Sequence, residues 1–306
     1  MTHKTVVITG ALGFIGRYVA KFYAENGWQV IGLGHGLWPL NDWMKWGLSQ
    51  WYECDITLEN LIEYGCMPDV IVHCAGSGSV GFSINSPMQD FERTVRTTQF
   101  ILEYVRVYSP KTKIVYPSSA AVYGLTEEIP IVEDCILHPI SAYGVNKKIA
   151  EDLCLMYAKQ YSISIAIVRL FSVYGVGLKK QLLWDACTKL KNGNREFYGS
   201  GLETRDWIHV KDAARLLYTA YLKADSSCPI VNGGTGSAIL IKDILEELFV
   251  SYGVSDMPQF LGTVDEGNPK YYQADMRIVS KWGWWPMIRL KDGITEYVQW
   301  YKEGAR

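Results

Sequence analysis

A β-branched run that breaks into three evenly spaced glycines opens this chain of 306 residues and leaves few ways for it to fold. Thr5-Val-Val-Ile-Thr-Gly10 reads as a strand, and Gly10-Ala-Leu-Gly13-Phe-Ile-Gly16 follows it directly. From 13 to 26 the spacing predicts a helix, with Phe14, Ile15, Val19, Phe22 and Tyr23 on one side. In a strand–turn–helix unit of this kind, backbone N–H groups and the positive helix end converge on a pyrophosphate, and a side chain there would block it. Three turn or packing glycines would give the same letters; the position between a strand and a helix favours a dinucleotide site.

The alternation continues. Strands are predicted at 28–33, 51–55, 69–75, 113–119 and 164–172, and helices at 57–64, 88–108 and 141–160. Strands apolar on both faces and separated by helices imply an α/β fold, a doubly wound parallel sheet. Beyond Phe171 the pattern loosens into helices at 179–191, 210–223, 240–251 and 292–302, with Gly-, Pro- and Trp-rich loops at 199–206, 262–270 and 282–286. The expected division is a nucleotide-binding domain over 1–171, also receiving 207–235, and a smaller C-terminal substrate-binding lobe over 172–306, closing as a lid over the strand ends. Trp282, Trp284 and Trp285 suit either a sugar-stacking platform or, more simply, the apolar anchor of that lobe.

Composition narrows the partners. Thirty Lys and Arg against 32 Asp and Glu give a net charge of −2, which provides no broad basic field for nucleic acid or an anionic membrane. No run approaches the roughly 18 apolar residues of a membrane helix, and the glycines of the first segment break any signal-peptide helix. Seven cysteines in no CxxC pair argue against a zinc site or a disulfide framework; no metal is expected, and the chain is read as cytoplasmic.

Two further patterns carry chemistry. Tyr143 and Lys147 stand four apart at the start of a predicted helix, on one face. An ammonium near a phenol favours the phenolate, and such a tyrosine can exchange a proton with a carbinol while hydride passes to or from a nicotinamide. Ser118 and Ser119 end the fifth strand, either as a turn or within reach of the same oxygen. The second strand ends in Leu33-Gly34-His35-Gly36, without the acid that usually binds the ribose 2′-hydroxyl of NAD, so NADP(H) is favoured and NAD(H) remains possible. Arg17 and His35 are the cations available to a 2′-phosphate, Arg17 being otherwise a solvated helix residue. Asp55 suits either the adenine amino group or a helix N-cap before Thr57.

Together these pieces resemble the extended short-chain dehydrogenase/reductase family, in its nucleotide-sugar epimerase/dehydratase branch. The matching segments are Gly10–Gly16, His73-Cys-Ala-Gly76 with the following Ser79-Val-Gly-Phe-Ser, Ser119-Ala-Ala-Val-Tyr-Gly124, Tyr143 with Lys147, Arg169-Leu-Phe-Ser-Val-Tyr-Gly175 and Phe197 through Asp212. The resemblance implies a Rossmann-type sheet. It implies that Gly10, Gly13, Phe14, Ile15 and Gly16 cradle the cofactor, with Asp55 and Ile56 at the adenine and Ala75 and Gly76 along its length. Tyr143 would be the acid/base, Lys147 would grip the ribose and tune Tyr143, and Ser119 would complete the set. Ser79, Ser119, Ser172 and Arg205 would meet a nucleotide-sugar substrate, Arg205 reaching its diphosphate unless it pairs with Asp206 or Asp212. A homodimer through 88–108 and 141–160 is also implied.

The departures matter. Ala120-Ala121 stands where dehydratases carry an Asp-Glu pair, which disfavours 4,6-dehydration. Ser172 replaces the usual Asn, and Thr94 and Arg96 stand at the usual Asn positions of the 88–108 helix. The expected function is therefore NADP(H)-dependent reduction of a 4-keto nucleotide sugar. The alternatives are an NAD-retaining 4-epimerase and a non-catalytic NAD(P)-binding regulator, which fold alone would not exclude.

Overall fold

The structure, a computed structural model, describes residues 4–262 and 270–304. The predicted loop at 262–270 lies almost wholly outside them. Two compact units are present: Met1–Leu125, Glu133–Leu170 and Ala213–Asn232 form the first, and Thr126–Val132, Phe171–Asp212 and Gly233–Arg306 the second.

The first unit begins β1 (Thr5–Thr9), α1 (Phe14–Glu25), β2 (Gln29–Gly34), β3 (Gln50–Glu53), α2 (Leu58–Tyr64) and β4 (Val70–His73). It continues with α3 (Val80–Asn85), α4 (Pro87–Phe91), α5 (Thr97–Tyr108), β5 (Lys113–Ser119), α6 (Ala142–Tyr161) and β6 (Ile165–Leu170). The chain then enters the second unit with β7 (Ser172–Tyr174), α7 (Gln181–Lys191), β8 (Glu196–Phe197), β9 (Thr204–Arg205) and β10 (Trp207–His209). It returns through α8 (Val210–Lys223) and β11 (Ile230–Gly233), and ends in the second unit with β12 (Ile239–Leu240), α9 (Ile241–Tyr252), β13 (Gln259–Phe260), α10 (Arg277–Lys281) and α11 (Leu290–Lys302).

Seven strands form one sheet in the order β11-β6-β5-β4-β1-β2-β3. The pairs running from β3 to β6 are all parallel. Val6, Val7, Ile8, Val70, Ile71 and Val72 are fully buried, as strands covered on both faces must be. On one face Val7, Ile71, Ile114 and Ile165 pack with Ile101, Leu102 and Val105 of α5 and with Ala150, Cys154 and Ala158 of α6. The second unit holds three two-stranded pairs, β10 with β7, β12 with β9 and β13 with β8. Its Trp284 is fully buried while Trp285 is exposed, so one tryptophan of that cluster is a core anchor.

The seventh strand, β11, is absent from the periodicity reading because Ile230-Val-Asn-Gly is too short and polar to stand out. The single helix expected at 88–108 is three pieces: α4, one π turn at Glu92–Arg96, and α5. All seven cysteines are free, and Cys154, Cys187 and Cys228 are buried. No described helix is long and apolar enough to cross a membrane, and no cluster of three metal-ligating side chains occurs among the described residues.

The core of the first unit also holds charge. Arg169 of β6 meets Glu151 of α6 by two parallel bonds, Nη2 to Oε2 at 2.7 Å and Nε to Oε1 at 3.1 Å, and donates through Nη1 to the Glu133 carbonyl at 2.7 Å. Both side chains are almost wholly buried. Removing one partner strands the other charge in a medium that solvates it poorly. Arg169→Ala is expected to cost roughly 3–5 kcal/mol of stability, read as a lower urea midpoint at unchanged slope.

Candidate active site

The glycine turn is built by close approach. Gly10 sits in the left-handed region (φ +69°), and its N–H donates to the Leu33 carbonyl at 2.7 Å, which ties the ends of β1 and β2. A Cβ on Gly16 would lie 2.2 Å from the Gly10 carbonyl oxygen, so α1 abuts the turn only because no side chain stands there. Gly13 is the N-cap of α1. No side chain caps that end and its first turn carries no acid, so the positive end of the helix is left open. Phe14 and Ile15, both half-buried, form its first turn. These features fit an anion such as a pyrophosphate.

Arg17 is engaged with the backbone of the turn. Its Nη2 donates to the Leu12 carbonyl and its Nε to that of Gly13 at 3.3 Å. The guanidinium lies 5.6 and 5.3 Å from the ring centroids of Trp38 and Trp46. Burial lowers its pKa. His35 is likewise engaged, with Nε2 at 2.8 Å from the Asp55 carboxylate, both side chains being well exposed. The N-cap of α2 is Thr57, whose hydroxyl accepts from Asn60 N, and not Asp55. Ile56 is buried beside them.

Beyond β4, the Ala75 N–H donates to the Thr9 hydroxyl at 3.1 Å. That hydroxyl also meets His73 Nδ1 at 2.7 Å. Burial, aided by the charge of Lys147, pushes His73 down to about 3, so the imidazole is neutral and serves as a brace. Gly76 is exposed, three residues past the end of β4, and Ser79 caps α3 by accepting from Phe82 N. Thr94, in the π turn, is buried and accepts from Ser77 N, whereas Arg96 is a surface residue paired with Glu92 and lying over Phe100.

Ser141 starts α6 by accepting from Gly144 N at 3.1 Å. A Cβ on Gly144 would lie 2.5 Å from the Ala121 carbonyl oxygen; the missing side chain lets the first turn of α6 close on the turn after β5. This brings Tyr143, half-buried, towards Ser119, whose Oγ accepts from Ala121 N at 3.2 Å. Burial raises the Tyr143 hydroxyl above its ordinary pKa, the Ser119 hydrogen bond opposes this, and the Asp90 charge adds to it. Lys147 lies one turn along the same helix; its Nζ donates to the Pro117 carbonyl at 3.0 Å and lies 4.8 Å from the Tyr116 ring centroid. Burial pushes the ammonium down to about 8. Sequence reasoning missed Asp90 and Asn146, a fully buried carboxylate and a buried amide joined at 2.7 Å. They are 56 residues apart, and no local spacing connects them.

In the second unit, Ser172 N donates to the Asp206 carbonyl at 2.9 Å. Arg205 is half-buried, 5.7 Å from the Tyr272 ring, and donates to the Thr204 carbonyl. Neither aspartate pairs with it. Asp206 accepts from the backbone of Thr235, Gly236 and Ala274, and Asp212 from that of Met287 and Ile288. Among the described residues this guanidinium has no carboxylate partner, a disposition suited to an anion.

Residues 6–233 match the model of the NAD dependent epimerase/dehydratase family. The chain is 30% identical to a putative UDP-glucose 4-epimerase of Methanocaldococcus jannaschii over 98% of this chain and 99% of that one. It is 28% identical to a UDP-glucuronate 4-epimerase of Thermodesulfobacterium geofontis over 97% of this chain and 96% of that one. The crystal structure of the UDP-glucuronic acid 4-epimerase of Bacillus cereus, in complex with UDP-glucuronic acid and NAD, is similar at a TM-score of 0.87 and 27% identity, over 98% of this chain and 99% of that chain. The glycine turn, the parallel sheet and these matches agree: the chain belongs to the NAD-dependent epimerase/dehydratase family, the nucleotide-sugar branch of the extended short-chain dehydrogenases/reductases.

Proposed function

We propose that the protein is an NAD-retaining 4-epimerase of a UDP-linked hexose. The observation that carries this reading is the engagement of Arg17 and His35, the two residues expected to contact a 2′-phosphate. Arg17 is spent on the carbonyls of Leu12 and Gly13, and His35 is held by the Asp55 carboxylate, which repels a phosphate. The acid missing from the end of β2 is in effect supplied by Asp55, from the loop after β3. The expectation of NADP(H) and of 4-keto reduction drew on that missing acid and on Ala120-Ala121; the second disfavours dehydration and does not separate a reductase from an epimerase, and the relatives favour the epimerase. The relatives from M. jannaschii, T. geofontis and B. cereus are named as 4-epimerases, and the last is bound to NAD.

The residues that would hold NAD are the backbone of Gly10–Gly16 with the open end of α1, Asp55 and Ile56 at one end, and Ala75 and Gly76 at the strand ends. NAD held there would supply the hydride acceptor and donor for oxidation and reduction at C4 of the sugar. Tyr143, aligned by Ser119, takes the proton of the 4-hydroxyl and gives it back. The Lys147 ammonium contributes positive charge to the same pocket. Arg205 of the second unit, which has no carboxylate partner among the described residues, has a guanidinium suited to a phosphate group.

The test is to denature the purified protein and assay the supernatant. Near-stoichiometric NAD, with interconversion of UDP-glucose or UDP-glucuronic acid and their C4 epimers at no added cofactor, is the expected result. An empty protein that consumes NADPH with a 4-keto nucleotide sugar would reverse the reading. Gly16→Ala, which forces a methyl against the Gly10 carbonyl, is expected to leave the protein purifying without its nucleotide. Tyr143→Phe is expected to retain NAD while kcat falls about 10²–10⁴-fold. Because Lys147 is pushed down to about 8, its positive charge is present below that pH and lost above it. The alkaline limb of kcat should therefore fall near pH 8 and not near the usual lysine range, as measured in a full pH–rate profile.

A further inference from the structure

We infer that Asp206 is a positioning residue for Arg205, its buried carboxylate fixing the segment whose Tyr272 ring lies against the guanidinium. The inference rests on the phosphate role that the proposed function gives Arg205. A guanidinium binds a phosphate through a planar fork, so its orientation counts as much as its charge. Here the Arg205 guanidinium lies 5.7 Å from the centroid of the Tyr272 ring, which offers it a flat face. Tyr272 belongs to no helix or strand. Its place depends on what holds the residues around it.

On one side the hold is β9 itself. Thr204 N donates to the Lys270 carbonyl at 2.9 Å, and Tyr272 N donates to the Thr204 hydroxyl at 3.3 Å. On the other side it is Asp206, which is fully buried. Its Oδ1 accepts from Thr235 N at 2.6 Å and from the Thr235 hydroxyl at 2.8 Å. Its Oδ2 accepts from Gly236 N at 2.9 Å and from Ala274 N at 3.0 Å. All of these partners are donors, as an ionised, acceptor-only carboxylate requires. A Cβ on Gly234 would lie 2.7 Å from Oδ2, so the turn after β11 wraps the carboxylate because no side chain intervenes. Gln273 closes the ring, its Nε2 donating to the Gly236 carbonyl at 2.8 Å. One carboxylate thus joins the turn at 234–236 to the residues just beyond Tyr272. Its backbone carbonyl also accepts from Ser172 N at 2.9 Å. An acid directly after an arginine could instead have paired with it. Asp206 is committed to other donors, so it sets the face that Arg205 lies against and leaves the guanidinium its charge for an anion.

The other role open to Asp206 is purely structural, as a tie within the second unit. A double-mutant cycle separates the two, because a residue that acts through Arg205 has nothing to act on once Arg205 is gone. The probe is UDP, titrated by calorimetry into the purified full chain, its wild type, Asp206→Asn, Arg205→Ala and the double variant. Asp206→Asn replaces one acceptor oxygen by a donor and releases part of the ring. It is expected to weaken UDP about tenfold, and Arg205→Ala by at least as much. The double variant is expected to bind UDP no more weakly than Arg205→Ala alone, with the NAD content of all four chains unchanged. If Asp206→Asn does not fold, Thr235→Val takes its place in the cycle; it removes one bond to the carboxylate, keeps the three backbone ones, and carries the same expectation at about threefold. Losses that add, or a folded variant whose UDP affinity is unmoved while its melting temperature falls, would overturn the inference. So would a wild type that binds UDP no better than Arg205→Ala does. Coupled losses in a chain that epimerises neither UDP-glucose nor UDP-glucuronic acid would leave the inference standing and count against the proposed function instead.

Discussion

A parallel strand cannot follow its neighbour directly; the chain must climb back over the sheet, and the first of these reversals governs the remainder of the fold. It is made at Gly10, where a left-handed backbone turns β1 into α1 and the absent side chain of Gly16 lets the helix come within contact of the Gly10 carbonyl. The turn is fastened to the end of β2 by the Leu33 carbonyl and backed by Arg17. The order of strands around β1, the open helix end and the placement of the residues after β2 and β4 all descend from that one close approach. A second close approach, at Gly144, does the same for Tyr143 and Ser119.

The first unit also shows how several charges share one interior. Burying a charge is costly unless a partner of opposite sign is held in good geometry. Arg169 and Glu151 meet that condition with parallel bonds and an added carbonyl. Lys147 meets it less completely, with a carbonyl and an aromatic face, and this leaves its ammonium close to losing its proton. The contrast is informative: the pair that is fully satisfied holds the fold, and the group left partly satisfied is the one beside Tyr143.

Much of the architecture was legible because its causes are local. β-branched or apolar runs with helical segments between them set the sheet class, and the Tyr143–Lys147 spacing placed both on one helix. What the sequence concealed depends on distance. β11 is short and carries Asn232 and Gly233, so it has no periodic signature of its own. The π turn at Glu92–Arg96 interrupts a helix whose apolar spacing reads as continuous. Arg17 reads as a choice between phosphate and solvent, because nothing in the spacing of Trp38 and Trp46 announces that their rings will lie near it. Asp90 and Asn146 meet only after α4 and α6 have packed.

The setting of Arg17 has an optical consequence. Trp38 and Trp46 are half-buried indoles set against a cation that itself grips the carbonyls of the glycine turn. Indole emission responds to nearby charge and polarity, so any event that shifts the turn alters the environment of these two chromophores. Trp38 and Trp46 are therefore placed to sense a movement of the glycine turn through Arg17.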